Sequence, residues 1–158
     1  MNNVIRSISL LFGMIILVGC SQIMVSGQDD PANGQGVEGV WQTVVTPRIC
    51  ATGAAVGPTF PGILMFSKGG TMSGTSTAAS SVYGNWTKEK GPRQYSFVTI
   101  SLKYDLSGNL TGTRKISQSV TVDDSGDAFT TSGGFQDYDL VGNQVGAGCS
   151  TATGTRFK

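Results

Sequence analysis

Residues 39–50 read GVWQTVVTPRIC, and the alternation of side chains in this stretch predicts a β-strand. Trp41 and Cys50 each have a natural partner near the other end of the chain, Arg156 and Cys149. In adjacent antiparallel strands the numbers of facing residues add to a constant, and here 41 and 156 add to 197 while 50 and 149 add to 199. The two pairings agree to within a bulge or a diagonal contact. The first strand is therefore expected to lie beside the last, which closes the sheet on itself.

The composition favours strands over helices. Charged residues make up 13% of the 158 residues, against roughly 25% in an average soluble domain. Glycine is abundant, at 23 residues, and Ser and Thr are dense along the chain, whereas a helical protein would be rich in Ala, Leu, Glu and Lys. The length fits one domain, so we expect a single all-β domain with tight turns.

Seven further strands are expected after the first, separated by turn signals rich in Gly, Asn and Asp. The predicted strands cover residues 40–48, 59–68, 71–77, 82–88, 94–104, 110–122, 127–138 and 148–157. Only the first connection is long, and residues 51–58 are expected to cross an end of the barrel. The predicted fold is an eight-stranded antiparallel up-and-down β-barrel, just wide enough for one small ligand.

Charge and missing residue types narrow the function. Eleven basic residues against ten acidic ones give a net charge of +1, so the basic excess typical of nucleic-acid binding is lacking. The chain has no histidine, so a serine nucleophile would lack its usual base and a metal site its commonest ligand. We expect no catalytic residues, no metal site and no cofactor.

The N-terminus has the pattern of an export signal. Arg6 precedes an apolar run over residues 8–18, too short to span a bilayer and the right size for a signal-peptide core. The run ends at Leu17-Val18-Gly19-Cys20, which resembles the lipobox of bacterial lipoproteins. The resemblance implies that Cys20 becomes the new N-terminus and carries a diacylglyceryl group and an amide-linked acyl chain such as palmitate. The alternative is an ordinary secretory signal with an incidental cysteine.

The predicted organisation follows from that leader. Residues 1–19 are the signal peptide, residues 20–37 the lipidated N-terminus with a flexible tether, and residues 38–158 the barrel. The tether is rich in Gly, Gln, Asp and Asn and cannot bury enough apolar surface to offset its ordering entropy. Ser21, in the position that lipoprotein sorting reads, favours the outer membrane of a bacterial envelope. The expected membrane contact is the lipid anchor.

The barrel region resembles the calycin superfamily, the lipocalins and their bacterial relatives. The resemblance rests on Gly39-x-Trp41 in the first strand and Arg156 in the last, together with the length and the strand count. It implies that Trp41 lies at the closed base of the barrel with Arg156 packed across it as a structural clasp. A binding site at this pair is the alternative.

Two cysteines remain once Cys20 is set aside. Cys50 and Cys149 are expected to form a disulfide, because an envelope compartment is oxidising. The alternative is a pair of reactive or metal-binding thiols, which neither a CxxC motif nor a histidine supports.

Candidate ligand contacts come from the apolar faces of two strands. The candidates are Leu64, Phe66, Val98, Ile100 and Leu102. These side chains could line a pocket for an apolar ligand or simply fill a small barrel. The acidic residues Asp123, Asp124 and Asp127 could suggest calcium, but Asp beside Gly is the ordinary chemistry of a β-turn.

Two functions stay open at this point. The first is an envelope lipoprotein of unassigned role, whose barrel is a structural or interaction module for an envelope protein partner. The second is a calycin-like carrier with a small apolar or amphipathic ligand inside the barrel. The volume of the barrel interior discriminates between them, since a void of a few hundred Å³ favours a ligand pocket.

Overall fold

A computed structural model of the protein describes residues 36–158. The predicted signal peptide, the lipidated Cys20 and the tether up to residue 35 lie outside the described residues, and those assignments stay predictions.

The chain forms a closed antiparallel barrel in which each strand pairs with the next and β1 pairs with β8. The strands are β1 (Gly39–Arg48), β2 (Phe60–Phe66), β3 (Thr71–Ser76), β4 (Ala79–Lys88), β5 (Gln94–Tyr104), β6 (Leu110–Val122), β7 (Ala128–Tyr138) and β8 (Gln144–Arg156). This confirms the predicted eight-stranded up-and-down barrel.

The register of the closing pair is the one predicted from Trp41 and Arg156. These residues face each other, and the pairing runs without a break to Arg48 opposite Cys149. Cys50 lies two residues beyond the end of β1, so its link to Cys149 is a diagonal one. That displacement accounts for the difference between the two pair sums.

Two strands begin earlier than the sequence predicted. β4 begins at Ala79 instead of residue 82, and β8 begins at Gln144 instead of residue 148. Both early segments are rich in small residues that resemble loop sequence. The neighbouring strand continues alongside each of them, as Gln144 opposite Tyr138 illustrates, so pairing overrides local propensity.

The barrel has two distinct ends. We call one end the base; it carries residues 36–38 and the turns 67–70, 89–93 and 123–127. We call the other end the rim; it carries the connections 49–59, 77–78, 105–109 and 139–143.

The base is filled by a cluster of aromatic side chains. Phe129 lies 4.8 Å from Trp41 and 6.2 Å from Phe66, measured between ring centroids, and Phe66 lies 5.9 Å from Phe97. Trp86 packs edge-on against Phe66 as well. These contacts seal the base with the largest buried side chains of the described residues.

Part of the predicted ligand site was wrong, because three of its residues lie on the outer face of β5. Val98, Ile100 and Leu102 are 46%, 52% and 52% exposed, so they lie on the outside of the barrel and line nothing. The inward side chains of β5 include Phe97, which belongs to the base cluster, and Thr99, which is 2% exposed. The prediction was wrong because it took the more apolar of two alternating faces as the interior. Alternate residues of a strand point to the same side, and Phe97 points inward because it belongs to the base cluster. Thr99 therefore points inward as well, and Val98 and Ile100 point outward.

Candidate functional site

The upper half of the barrel encloses a cavity of about 300 Å³ between the aromatic base and the rim. The cavity reaches from Phe97, at the top of the base cluster, to the strand ends at Pro47 and Phe60. It exists because the inward positions above the base carry small or hydroxyl side chains. Examples are Ala79, Ser150 and Ala152.

The cavity walls are mainly apolar and include one of the predicted ligand-contact residues. Leu64 lines the cavity, as do Val45 and Ile116. Phe66 does not; it lies below in the base cluster and is 1% exposed. Of the five predicted ligand-contact residues, the structure therefore places only Leu64 at the cavity.

Trp41 and Arg156 close the base and do not line the cavity. The Arg156 guanidinium lies over the Trp41 ring, 4.2 Å from its centroid. It donates hydrogen bonds to the carbonyl oxygens of Gly36 and Glu38, both at 2.6 Å, and of Gly126 at 2.8 Å. Three backbone acceptors and one aromatic face occupy the guanidinium, which gives it the geometry of a structural clasp.

The clasp also holds the segment that leads into β1. The Trp41 indole Nε1 donates a hydrogen bond of 2.8 Å to the carbonyl oxygen of Val37, whose side chain is fully buried. Burial lowers the pKa of Arg156 from its ordinary value, while the carboxylate of Asp127 opposes that shift. The base is thus plugged by the chain's own entering segment.

Cys50 and Cys149 form a disulfide at the rim, which confirms the predicted pair. Their Cα atoms are 5.1 Å apart, and the bond ties the long β1–β2 connection to β8. Cys149 also lines the cavity, so the disulfide fixes part of the cavity wall.

A charged cluster, which sequence reasoning missed, lies near the rim on β5, β6 and β7. We call Lys103, Arg114 and Asp137 the rim cluster. The Asp137 carboxylate accepts hydrogen bonds from Arg114 Nε at 2.7 Å, from Arg114 Nη2 at 2.9 Å and from Lys103 Nζ at 2.7 Å. Arg114 lines the cavity and stacks on Phe135, with its Cζ 4.0 Å from the ring centroid. The cluster carries two positive charges and one negative charge.

The rim cluster makes stability depend on pH. Hydrogen bonds from Arg114 and then from Lys103, opposed by burial, lower the pKa of Asp137 from 3.8 to about 2. A carboxylate with a lowered folded-state pKa stabilises the fold above its unfolded pKa, and that stabilisation is lost as pH falls towards the folded value. We expect a loss of about 2 kcal/mol from this group between pH 5 and pH 2.

The variant Asp137→Asn isolates that contribution. Its unfolding free energy, measured in urea at pH 5 and pH 2, should fall less with acid than that of the wild type. Asp124→Asn removes an exposed carboxylate that pairs with Arg93 at the base and serves as the control, because it leaves the rim cluster and the contribution of Asp137 intact. Identical acid sensitivity in the Asp137 variant and the wild type would contradict the assigned role.

Two buried oxygens next to the cavity have no partner within residues 36–158. They are Oγ1 of Thr99 and Oε1 of Gln118, and both residues line the cavity. Gln118 does use its other amide atom, since Nε2 donates to Ser150 Oγ at 2.9 Å. An unpaired buried hydroxyl destabilises a fold by about 1–3 kcal/mol.

Removing the unpaired hydroxyl should therefore stabilise the barrel. We expect Thr99→Val to raise the free energy of unfolding by about 1 kcal/mol, because valine has nearly the same shape and no polar atom to desolvate. Chemical denaturation measures the change. Thr121→Val, at an exposed position on β6, is the control and should stay within about 0.5 kcal/mol of wild type. A destabilised Thr99→Val variant would mean that the hydroxyl has a partner.

The acidic loops have the geometry of turns. Asp105 accepts hydrogen bonds from the backbone N–H of Ser107 and Asn109, and its pKa is lowered chiefly by the Asn109 side chain. Asp123 similarly accepts from the Ser125 hydroxyl. Residues 36–158 contain no group of three or more His, Cys, Asp or Glu side chains arranged to hold a metal ion.

A comparison with known proteins gives no match to any family model, any curated protein or any solved structure. In residues 36–158 there is also no helix with the length and apolar character to cross a membrane. The cavity and the rim cluster therefore have to be interpreted from the chemistry of this chain alone.

Proposed function

We propose that the barrel binds one small, mainly apolar or amphipathic molecule in its cavity. The cavity of about 300 Å³ is the observation that carries the proposal, because it lies at the lower limit of ordinary ligand pockets. A barrel that served only as a scaffold would fill its interior to the density of a protein core. This barrel does so at the base and not above it.

The cavity walls support the same function. Side chains such as Val45, Leu64 and Val82 offer an apolar surface, and Gln118 and Arg114 add a few polar groups that could orient a ligand. This mixture is typical of small-molecule sites. The contact of Trp41 with Arg156 at a closed base agrees with the calycin resemblance, which implies a carrier role.

We further propose that the protein is a lipoprotein of the bacterial cell envelope, anchored through Cys20 and facing the periplasm or the surface. The leader supports this placement, and the Cys50–Cys149 disulfide suits an oxidising compartment. Mass spectrometry of the protein isolated from membranes tests it directly: a mature chain that begins at Cys20 with attached acyl chains is expected. An unmodified Cys20 would overturn it.

A pair of variants tests ligand binding in the cavity. The full chain is titrated with 1-aminoanthracene, a small apolar dye whose fluorescence rises in an apolar site. Ala152→Phe puts a ring into the cavity, while Thr153→Phe puts the same ring on the outer face of β8. We expect one dye per chain in the wild type, at least tenfold weaker binding in Ala152→Phe and unchanged binding in Thr153→Phe. No saturable binding, or equal binding by both variants, would overturn the proposal.

A second candidate function is an interaction module, and the outer face of β4 and β5 favours it. Tyr83 is 63% exposed and pairs with Ile100, which is 52% exposed, and Leu102 extends the same apolar surface. Photo-crosslinking in intact cells from position 100, compared with position 42 on the opposite side of the barrel, tests it. A reproducible partner trapped only from position 100 would support this function, and no partner would count against it.

A further inference from the structure

The rim cluster keeps unused hydrogen-bond donors beside the cavity. Asp137 engages Nε and one Nη2 proton of Arg114. Within residues 36–158, the Nη1 group of Arg114 makes no hydrogen bond, and Lys103 Nζ bonds only to Asp137. Nη1 and the remaining protons of Nζ are therefore free to bind another acceptor.

The cluster also keeps an unbalanced charge. Two cations face one carboxylate, and Asp137 stays ionised near neutral pH because its pKa is about 2. Asp105 and Asp139 in the rim loops keep their negative charge, but each lies in its own turn, where it bonds to Asn109 or Asn143 and not to the rim cluster. Lys115 is exposed on the outer face of β6 and does not face the cluster. The rim cluster itself thus has a net positive charge.

A purely structural brace would not require this surplus. Arg114 and Asp137 already form a bidentate pair that joins β6 to β7, and that pair is electrically neutral. An additional inward cation adds desolvation cost unless water or an anion compensates it. Lys103 keeps 31% of its side chain exposed and Arg114 keeps 27%, so the surplus lies where a head group could reach it.

We propose that the ligand is an anionic amphiphile, with a carboxylate or phosphate head group bound by Arg114 and Lys103 and its apolar part in the cavity below. The inference rests on the proposed function and names its ligand class. Arg114 is held in place by Asp137 and by the Phe135 ring, so little side-chain entropy is lost when the head group binds. Asp137 is a positioning residue, because it orients both cations without contacting the ligand.

The test compares probes that share one chain and differ in the head group. Decanoate, decyl phosphate, 1-decanol and decyltrimethylammonium are titrated against the full chain, each by displacement of bound 1-aminoanthracene below its micelle concentration. We expect either or both anions to bind at least tenfold more tightly than the alcohol, and the cation more weakly still. Preference for decanoate or for decyl phosphate distinguishes the two head groups.

Matched variants assign the effect to the rim cluster. Arg114→Gln and Lys103→Gln should each weaken binding of the preferred anion about tenfold and leave 1-decanol within twofold. Lys115→Gln removes the same charge from the outer face and should change neither the affinity for the preferred anion nor the affinity for 1-decanol. Lys103→Gln keeps the pair of Arg114 with Asp137, so it decides the question if Arg114→Gln does not fold.

The outcomes separate the two levels of the proposal. Equal affinity for anions and alcohol, or an anion preference that persists in Lys103→Gln and Arg114→Gln, would overturn the anionic ligand while leaving the cavity as a binding site. Failure of all four probes and of the dye would overturn the proposed function itself.

Discussion

Replacing Trp41 with alanine is expected to lower the free energy of unfolding by about 3–5 kcal/mol. The side chain is fully buried and packs between Phe129 and the Arg156 guanidinium. Its removal leaves a void that the sealed base cannot close, and it also leaves the Val37 carbonyl without its indole donor. Both effects act on the segment that plugs the barrel.

Urea denaturation of the purified full chain measures this change. Tyr83→Ala is the control, because it removes a large aromatic side chain that is 63% exposed and should cost less than about 1 kcal/mol. Trp41→Phe keeps part of the apolar volume, so its loss in the free energy of unfolding should lie between those of Trp41→Ala and Tyr83→Ala. A Trp41→Ala variant as stable as the Tyr83 control would show that the base cluster does not hold the barrel together.

The second large effect is expected from the disulfide. The bond joins residues 99 positions apart, for which chain entropy gives a stabilisation of up to about 4.7 kcal/mol. Replacing both cysteines, Cys50→Ser with Cys149→Ser, should therefore lower the free energy of unfolding by about 3–5 kcal/mol. The unfolded chain becomes less compact at the same time, which raises the dependence of that free energy on denaturant.

Reduction offers a parallel measurement on the unaltered chain. Cys50 is exposed, so a thiol reductant should reach the bond and move the wild-type midpoint towards that of the double variant. The double variant should not respond to reductant. A wild-type midpoint that is the same with and without reductant would rule out a stabilising role for the bond.

The closed fold could be predicted from two kinds of sequence signal: a residue pair that joins the first and last strands, and turn sequences between neighbouring strands. Trp41 and Arg156 fixed the closing register, and turn chemistry separated the strands. β5 and β6 were predicted at their observed bounds since each is flanked by strong turn signals. The start of β8 was missed because residues 144–147 carry no strand signal of their own and are held by pairing with β7.

The cavity lining could be predicted only in part, because it depends on which face of each strand points inward. On β5, the inward residue Thr99 is less apolar than its outward neighbours Val98 and Ile100. Hydropathy alone therefore favours the wrong face. The reliable signal was Phe97, which shares the parity of Thr99 and packs in the base cluster with Phe66.

The rim cluster could not be predicted from the sequence. Lys103, Arg114 and Asp137 come from three strands. Their meeting depends on the register of β5 with β6, which shifts next to Lys103, and on the register of β6 with β7, where Arg114 faces Asp137. The position of Phe135 also requires glycine at position 148, because a Cβ atom on residue 148 would lie 2.6 Å from the Phe135 ring. Such a site follows from the folded barrel and not from a motif.

The central claim is that a ligand binds inside the barrel and not on its apolar outer face, and methyl NMR tests this most directly. The chain is labelled at Ile, Leu and Val methyl groups, and nuclear Overhauser effects to bound decanoate are recorded. We predict contacts to Val45, Leu64 and Ile116, which line the cavity, and none to Ile100 and Leu102 on the outside. Contacts only to Ile100 and Leu102 would contradict the claim.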